Sequence, residues 1–166
     1  MVPRAEDFAR LCEDEWAVVF RTAYLITGDR AEAEDLTQEA FLRAYERWST
    51  VSTLDRPQAW LQRVVVNLAL SWRRRVGVRR RLRLELPPLQ ELGPIDHDVV
   101  DALRALPPRQ RMALVLRFFA DQSIEEVATT LGRRPGTVRA LTAQGIARLR
   151  ALGPAKLKEA FDEDAR

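Results

Sequence analysis

A single cysteine and a single histidine stand in 166 residues. One cysteine excludes an internal disulfide, and the two together are too few for a zinc site of the usual Cys/His type. Cys12 falls on an apolar helical face, where packing rather than reactivity is expected. His97 lies in a polar stretch and is expected to be solvent-exposed and without a role. No hydrophobic run approaches the ~20 residues of a membrane span, and MVPRAEDF lacks a signal-peptide pattern, so a cytoplasmic location is expected. Neither a nucleotide-binding glycine loop nor a nucleophile–base pair is visible. No metal, no cofactor and no catalysis are therefore expected.

Acid is missing locally. From Pro57 to Arg83 there are eight arginines and no Asp, Glu or Lys, and from Leu131 to Arg150 five arginines and no acid. Residues 1–56 carry seven basic against twelve acidic side chains, and residues 84–130 four against eight. The modest net charge of +3 thus conceals two cationic blocks set between acidic ones. Two surfaces for an anionic polymer and one for a different partner are implied.

What is present is helical periodicity, with no strand-like alternation to compete with it. At 46% hydrophobic and 31% charged residues the chain is a folded protein, able to bury one ordinary core or two small ones. Phe8, Leu11, Cys12, Trp16, Val19, Ala23 and Ile26 mark a first helix that Gly28 can end. Asp29-Arg30-Ala31-Glu32 resembles a capping box and opens a second, running to about Trp48, with Ala33, Leu36, Ala40, Phe41 and Ala44 inside. Glu34, Asp35, Gln38, Glu39, Leu42 and Arg43 are left outside. From spacing alone that acidic face reads as solvated surface or as a docking site.

Ser49–Arg56 reads as a polar loop, and Pro57 as the first residue of a third helix. Trp60, Leu61, Val64, Val65, Leu68 and Trp72 form its apolar face. Gln62, Arg63, Asn67 and Ser71 fall mostly off it. Trp60 and Trp72 sit on the stripe, where core packing is the expectation. These residues describe a nucleic-acid surface and a core helix ending in a solvated arginine cluster equally well. Residues 84–97, rich in proline and acid, read as a linker.

A second helical unit follows. Leu103 and Leu106 close a short helix before Pro107-Pro108, and RQRMALVLRFF continues as the next. Ser123-Ile124-Glu125-Glu126 is another capping box. Gly132 ends that helix, and Pro135 starts a basic one running to about Leu152. Two helices joined by a tight glycine-containing turn form a helix-turn-helix pattern, and the lack of acid after Leu131 favours DNA over a mere helical hairpin. The fold class is all-α, two small helical bundles on a flexible linker: 5–83, then 98–153, with a tail over 154–166.

AEAEDLTQEAFLRAYERW with PQAWLQRVVVNLALSWRRR resembles region 2 of the bacterial extracytoplasmic-function (ECF) sigma factors. LPPRQRMALVLRFFADQSIEEVATTLGRRPGTVRALTAQGIARLR resembles their region 4, and YLITGDRAEAEDL with PPRQRMALVLRFF is similar to a set common in high-GC Gram-positive bacteria. The resemblance implies an RNA polymerase initiation subunit, monomeric when free, that performs no chemistry itself. It places Asp35, Gln38, Glu39, Phe41, Leu42 and Arg43 on the clamp helices of the polymerase largest subunit. It gives Trp60, Arg63 and Asn67, with the Ser49–Arg56 loop, to the melted minus-ten strand, and Arg73, Arg74 and Arg75 to phosphates. Region 4 would rest on the polymerase flap, with Arg133, Arg134, Thr137, Arg139, Leu141, Gln144 and Arg148 at minus-thirty-five DNA. An anti-sigma factor is a further partner of the family.

The recognition helix departs from the family. Ser is usual at Arg134, Lys at Arg139, Ser at Ala140, and often Arg at Leu141 and Gln144. Gly136, Thr137 and Val138 are kept. The family's promoter sequence therefore does not carry over. Two other functions stay open on sequence: a stand-alone helix-turn-helix regulator, and an inactive sigma-like protein that sequesters polymerase or an anti-sigma factor.

Overall fold

A computed structural model describes residues 5–77 and 97–152. They form two compact units, one from each segment. Among the described residues there is no strand. The linker expected over 84–97 lies outside them except for His97, which opens a helix instead. The tail over 154–166 and the arginines from Arg79 to Arg83 also lie outside.

The first unit comprises α1 (Ala5–Thr27), α2 (Arg30–Glu46), α3 (Trp48–Val51) and α4 (Pro57–Gly77). Helices α1, α2 and α4 pack against one another pairwise. The end of α1 is enclosed on all sides, with every residue from Thr22 to Thr27 buried. Gly28 ends the helix in the left-handed region at φ 71°, where a Cβ is penalised, and its N–H donates to the Tyr24 carbonyl at 2.7 Å. Asp29 then caps α2 by accepting from the Glu32 N–H at 3.1 Å, while its own N–H donates to Thr27 Oγ1. Ala33, Ala40 and Ala44 are wholly buried on α2, and such small side chains let the helices approach closely.

Three features of this unit differ from the sequence reading. The polar loop begins only at Ser52, because Trp48–Val51 makes one more helical turn that buries Val51. The buried stripe of α4 is Leu61, Gln62, Val65, Val66 and Ala69, with Trp60, Val64, Leu68 and Trp72 half-buried on its flank. Each buried leucine or valine there is worth about 1.5–3 kcal/mol. Gln62, expected outside, is inside, and neither end of its carboxamide has a partner. Cys12 is half-buried, and burial with the neighbouring Glu13 pushes its thiol above the ordinary range.

The second unit comprises α5 (His97–Ala105), α6 (Pro108–Leu114), α7 (Ile124–Leu131) and α8 (Pro135–Leu152). Helix α6 does not run on regularly into RFF. Val115–Phe119 widens into a π-helical turn, closed by the Ala120 N–H on the Val115 carbonyl at 3.1 Å. Ser123 and Glu126 form the expected reciprocal capping box at 3.2 and 2.8 Å. Gly132 terminates α7 at φ 61°. Helix α8 packs on α6 and α7 through Val138, Thr142, Gly145 and Leu149. Gly145 is buried while its neighbour Ile146 is only half-buried. A Cβ at Gly145 would lie 2.9 Å from Leu114 Cδ1, so any larger residue there would have to push the Leu114 side chain aside.

Among the described residues no helix is long and apolar enough to cross a membrane, and no cluster of His, Cys, Asp or Glu could hold a metal.

Candidate polymerase and nucleic-acid interfaces

The outer face of α2 carries Asp35, Gln38, Leu42 and Arg43 in the open, with Glu39 half-exposed beside them. Arg43 Nε lies 2.8 Å from Glu39 Oε1, a contact one helical turn long that shares out both charges. Phe41 is a correction. It is only 5% exposed, facing the core beneath Trp16, so its ring is not offered to a partner. Trp16, expected inside α1, is 39% exposed and covers it. Tyr45, not singled out from the sequence, stands 61% exposed with its ring edge-on to Phe8 at 5.2 Å. The signal was its spacing: Asp35, Gln38, Leu42 and Tyr45 follow one another at three, four and three. The face is thus acidic at one end and apolar at the other.

On α4, Arg63 and Asn67 are exposed one turn apart, and Arg74 continues the same side. Trp60 is half-buried at the edge of the core, next to the loop whose Leu54 is 39% exposed. The three arginines separate. Arg74 and Arg75 are exposed, but Arg73 Nη1 donates to the Ile26 carbonyl at 3.1 Å. That bond satisfies an orphan carbonyl at the end of α1 and sets a cation at the negative end of its dipole. Arg73 therefore anchors the arginine run to the core.

In the second unit Arg133 and Arg134 are exposed in the turn, and Thr137, Arg139, Gln144 and Arg148 are exposed on α8, which has no acidic residue. Leu141 is half-buried. With Val138, Thr142, Gly145 and Leu149 inward, the Arg134–Thr137–Leu141–Gln144–Arg148 stripe runs along one flank of α8. It does not lie opposite the core. The outermost positions are Gly136, Ala140, Ala143 and Ala147. Two of the exposed polar residues are tied to earlier helices: Arg139 Nη2 lies 3.0 Å from Glu125 Oε1 of α7, and Gln144 Oε1 accepts from Gln110 Nε2 of α6 at 3.1 Å.

Comparison with known proteins agrees with this division. The Sigma-70 region 2 family matches residues 15–79, and the Sigma-70 region 4 family matches residues 96–149. The RNA polymerase sigma-E factor of Streptomyces coelicolor is 33% identical over 156 residues, spanning 87% of this chain and 83% of that protein. The ECF RNA polymerase sigma factor SigE of Mycolicibacterium smegmatis is 36% identical over 147 residues, 80% of this chain and 56% of that one. In fold, the chain is similar to the sigma factor RpoE of Bartonella quintana, solved with the anti-sigma factor NepR. The TM-score is 0.65 at 24% identity, over 89% of this chain and 97% of that one. Two compact helical units, each matching a sigma region in the right order, make this chain a member of the ECF sigma factors of bacterial RNA polymerase.

Proposed function

We propose that this ECF sigma factor divides its work among the three faces just described. The outer face of α2, from Asp35 to Tyr45, docks on the polymerase largest subunit. Arg63 and Asn67, with the loop before α4, hold unpaired bases of the minus-ten element, while Arg74 and Arg75 meet phosphates. Helix α8 enters the major groove at minus-thirty-five, and its unit also rests on the polymerase flap. An anti-sigma factor competes for these faces when the protein is held inactive. The chain itself carries out no catalysis.

The observation that carries the minus-ten assignment is the pairing of Arg63 and Asn67 on the exposed face of a helix whose other side buries Leu61, Val65, Val66 and Ala69. A rigid scaffold spends little entropy when it captures a base. Binding unpaired bases better than paired ones shifts the duplex towards its open form. A stand-alone regulator has no use for such a face. Templates with a pre-opened minus-ten bubble test the reading. Arg63→Ala and Asn67→Ala should lower transcription from duplex promoters far more than from pre-opened ones, since the lost contacts offset unpairing by a few kcal/mol at most. Equal losses on both templates would overturn it.

A further inference from the structure

Two glutamines meet between α6 and α8. Gln110 is only 6% exposed, and its Nε2 donates to Oε1 of Gln144 at 3.1 Å. Gln110 Oε1 is buried without a partner. A carboxamide has two unlike ends, an acceptor oxygen and a nitrogen with two donors. If both groups were turned round, the orphan would be a buried NH2, and unpaired buried N–H groups are rarer than under-satisfied carbonyl oxygens. The observed orientation leaves the cheaper orphan.

The orientation has a chemical consequence at the exposed end. A glutamine free to use both ends meets adenine bidentately, accepting from N6 and donating to N7. Gln144, held by its oxygen, has its Nε2 donors left for the groove. Donors suit base edges that offer acceptors: guanine presents N7 and O6 side by side, whereas adenine sets the donor N6 beside its N7. We propose that Gln110 is a positioning residue for specificity, holding the oxygen of Gln144 inward so that its Nε2 donors lead into the groove and favour guanine over adenine at the base pair it meets. The proposal rests on the placement of α8 in the minus-thirty-five groove.

Selection from duplex promoters with a randomised minus-thirty-five segment, using holoenzyme assembled on core polymerase, tests it. Gln144→Ala should flatten the preference at one position only, which locates the contact. The unaltered protein should enrich guanine over adenine there by about three- to tenfold, the scale of a partial base contact. Gln110→Leu frees the oxygen of Gln144 and should shift that position towards adenine. Gln110→Glu, once ionised, can only accept, so above its pKa Gln144 must turn its nitrogen inward and offer its oxygen, favouring cytosine or adenine. A merely structural role for Gln110 would lower stability without moving the base preference, and a selection profile unchanged in both Gln110 variants would overturn the proposal. So would enrichment of adenine by the unaltered protein. No preference at any position, in any of the four proteins, would sink the placement of α8 itself. Should Gln110→Glu fail to fold, the Gln110→Leu profile decides alone.

Discussion

Trp16 lies stacked on Phe41, with ring centroids 5.4 Å apart and planes inclined by 22°. The contact closes the inner side of α2 and leaves Leu42, its neighbour in sequence, 52% exposed. The two residues should therefore fail differently. Phe41→Ala should cost about 3–5 kcal/mol of stability by opening a cavity. Leu42→Ala should change stability by no more than about 0.5 kcal/mol yet weaken binding to core polymerase. Thermal melts beside polymerase titrations check the split, and a reversed pattern would return Phe41 to the docking face.

Charge reversal on the same face should abolish co-purification with core polymerase while helicity survives. Because Glu39 already shares its charge with Arg43, Asp35→Arg should account for most of the loss in the Asp35→Arg, Glu39→Arg pair. Normal helicity with unchanged polymerase affinity would remove the docking assignment.

Gln62 should be a site of easy stabilisation. An unpartnered buried carboxamide costs its desolvation without return, so Gln62→Leu should raise stability by about 1–2 kcal/mol, read as a higher melting temperature. A lower melting temperature would mean that the amide is satisfied in solution.

The Glu125–Arg139 pair joins two side chains that are 65% and 61% exposed. Breaking it with Glu125→Gln should alter stability by less than about 1 kcal/mol. It should tighten binding of the full chain to duplex DNA and steepen the log–log salt dependence by up to about 0.9, one phosphate's worth. In an Arg139→Ala background the extra slope should vanish; if it persists, Glu125 acts by long-range repulsion alone.

The parts of this fold that were legible in the sequence are local ones. Gly28, Gly132 and Ser123 act through their own backbone or within four residues, so helix ends could be read directly. What the sequence obscured depends on neighbours. The apolar residues of α4 span more than half its circumference, so periodicity alone could not set the phase that buries Gln62. On α8 the inward position 145 was equally hidden, because a glycine shows no apolar signal although it faces Leu114. Arg73 looked like its neighbours; only tertiary packing brings the Ile26 carbonyl, 47 residues away, within reach of its guanidinium. For the site, the exposed residues of α4 and α8 were found by type and spacing, and the side chains that hold them, Gln110 and Glu125, gave no sign.

Run-off transcription with purified core polymerase, the full chain and a genomic promoter library bears most directly on the central claim. Discrete, promoter-specific starts should appear that require this protein and disappear with Arg63→Ala, Asn67→Ala or the α2 charge reversal. Duplex DNA binding without polymerase and no specific start would show a stand-alone regulator. Tight polymerase binding with no start on any promoter would show a sequestering protein, and either result would contradict the account.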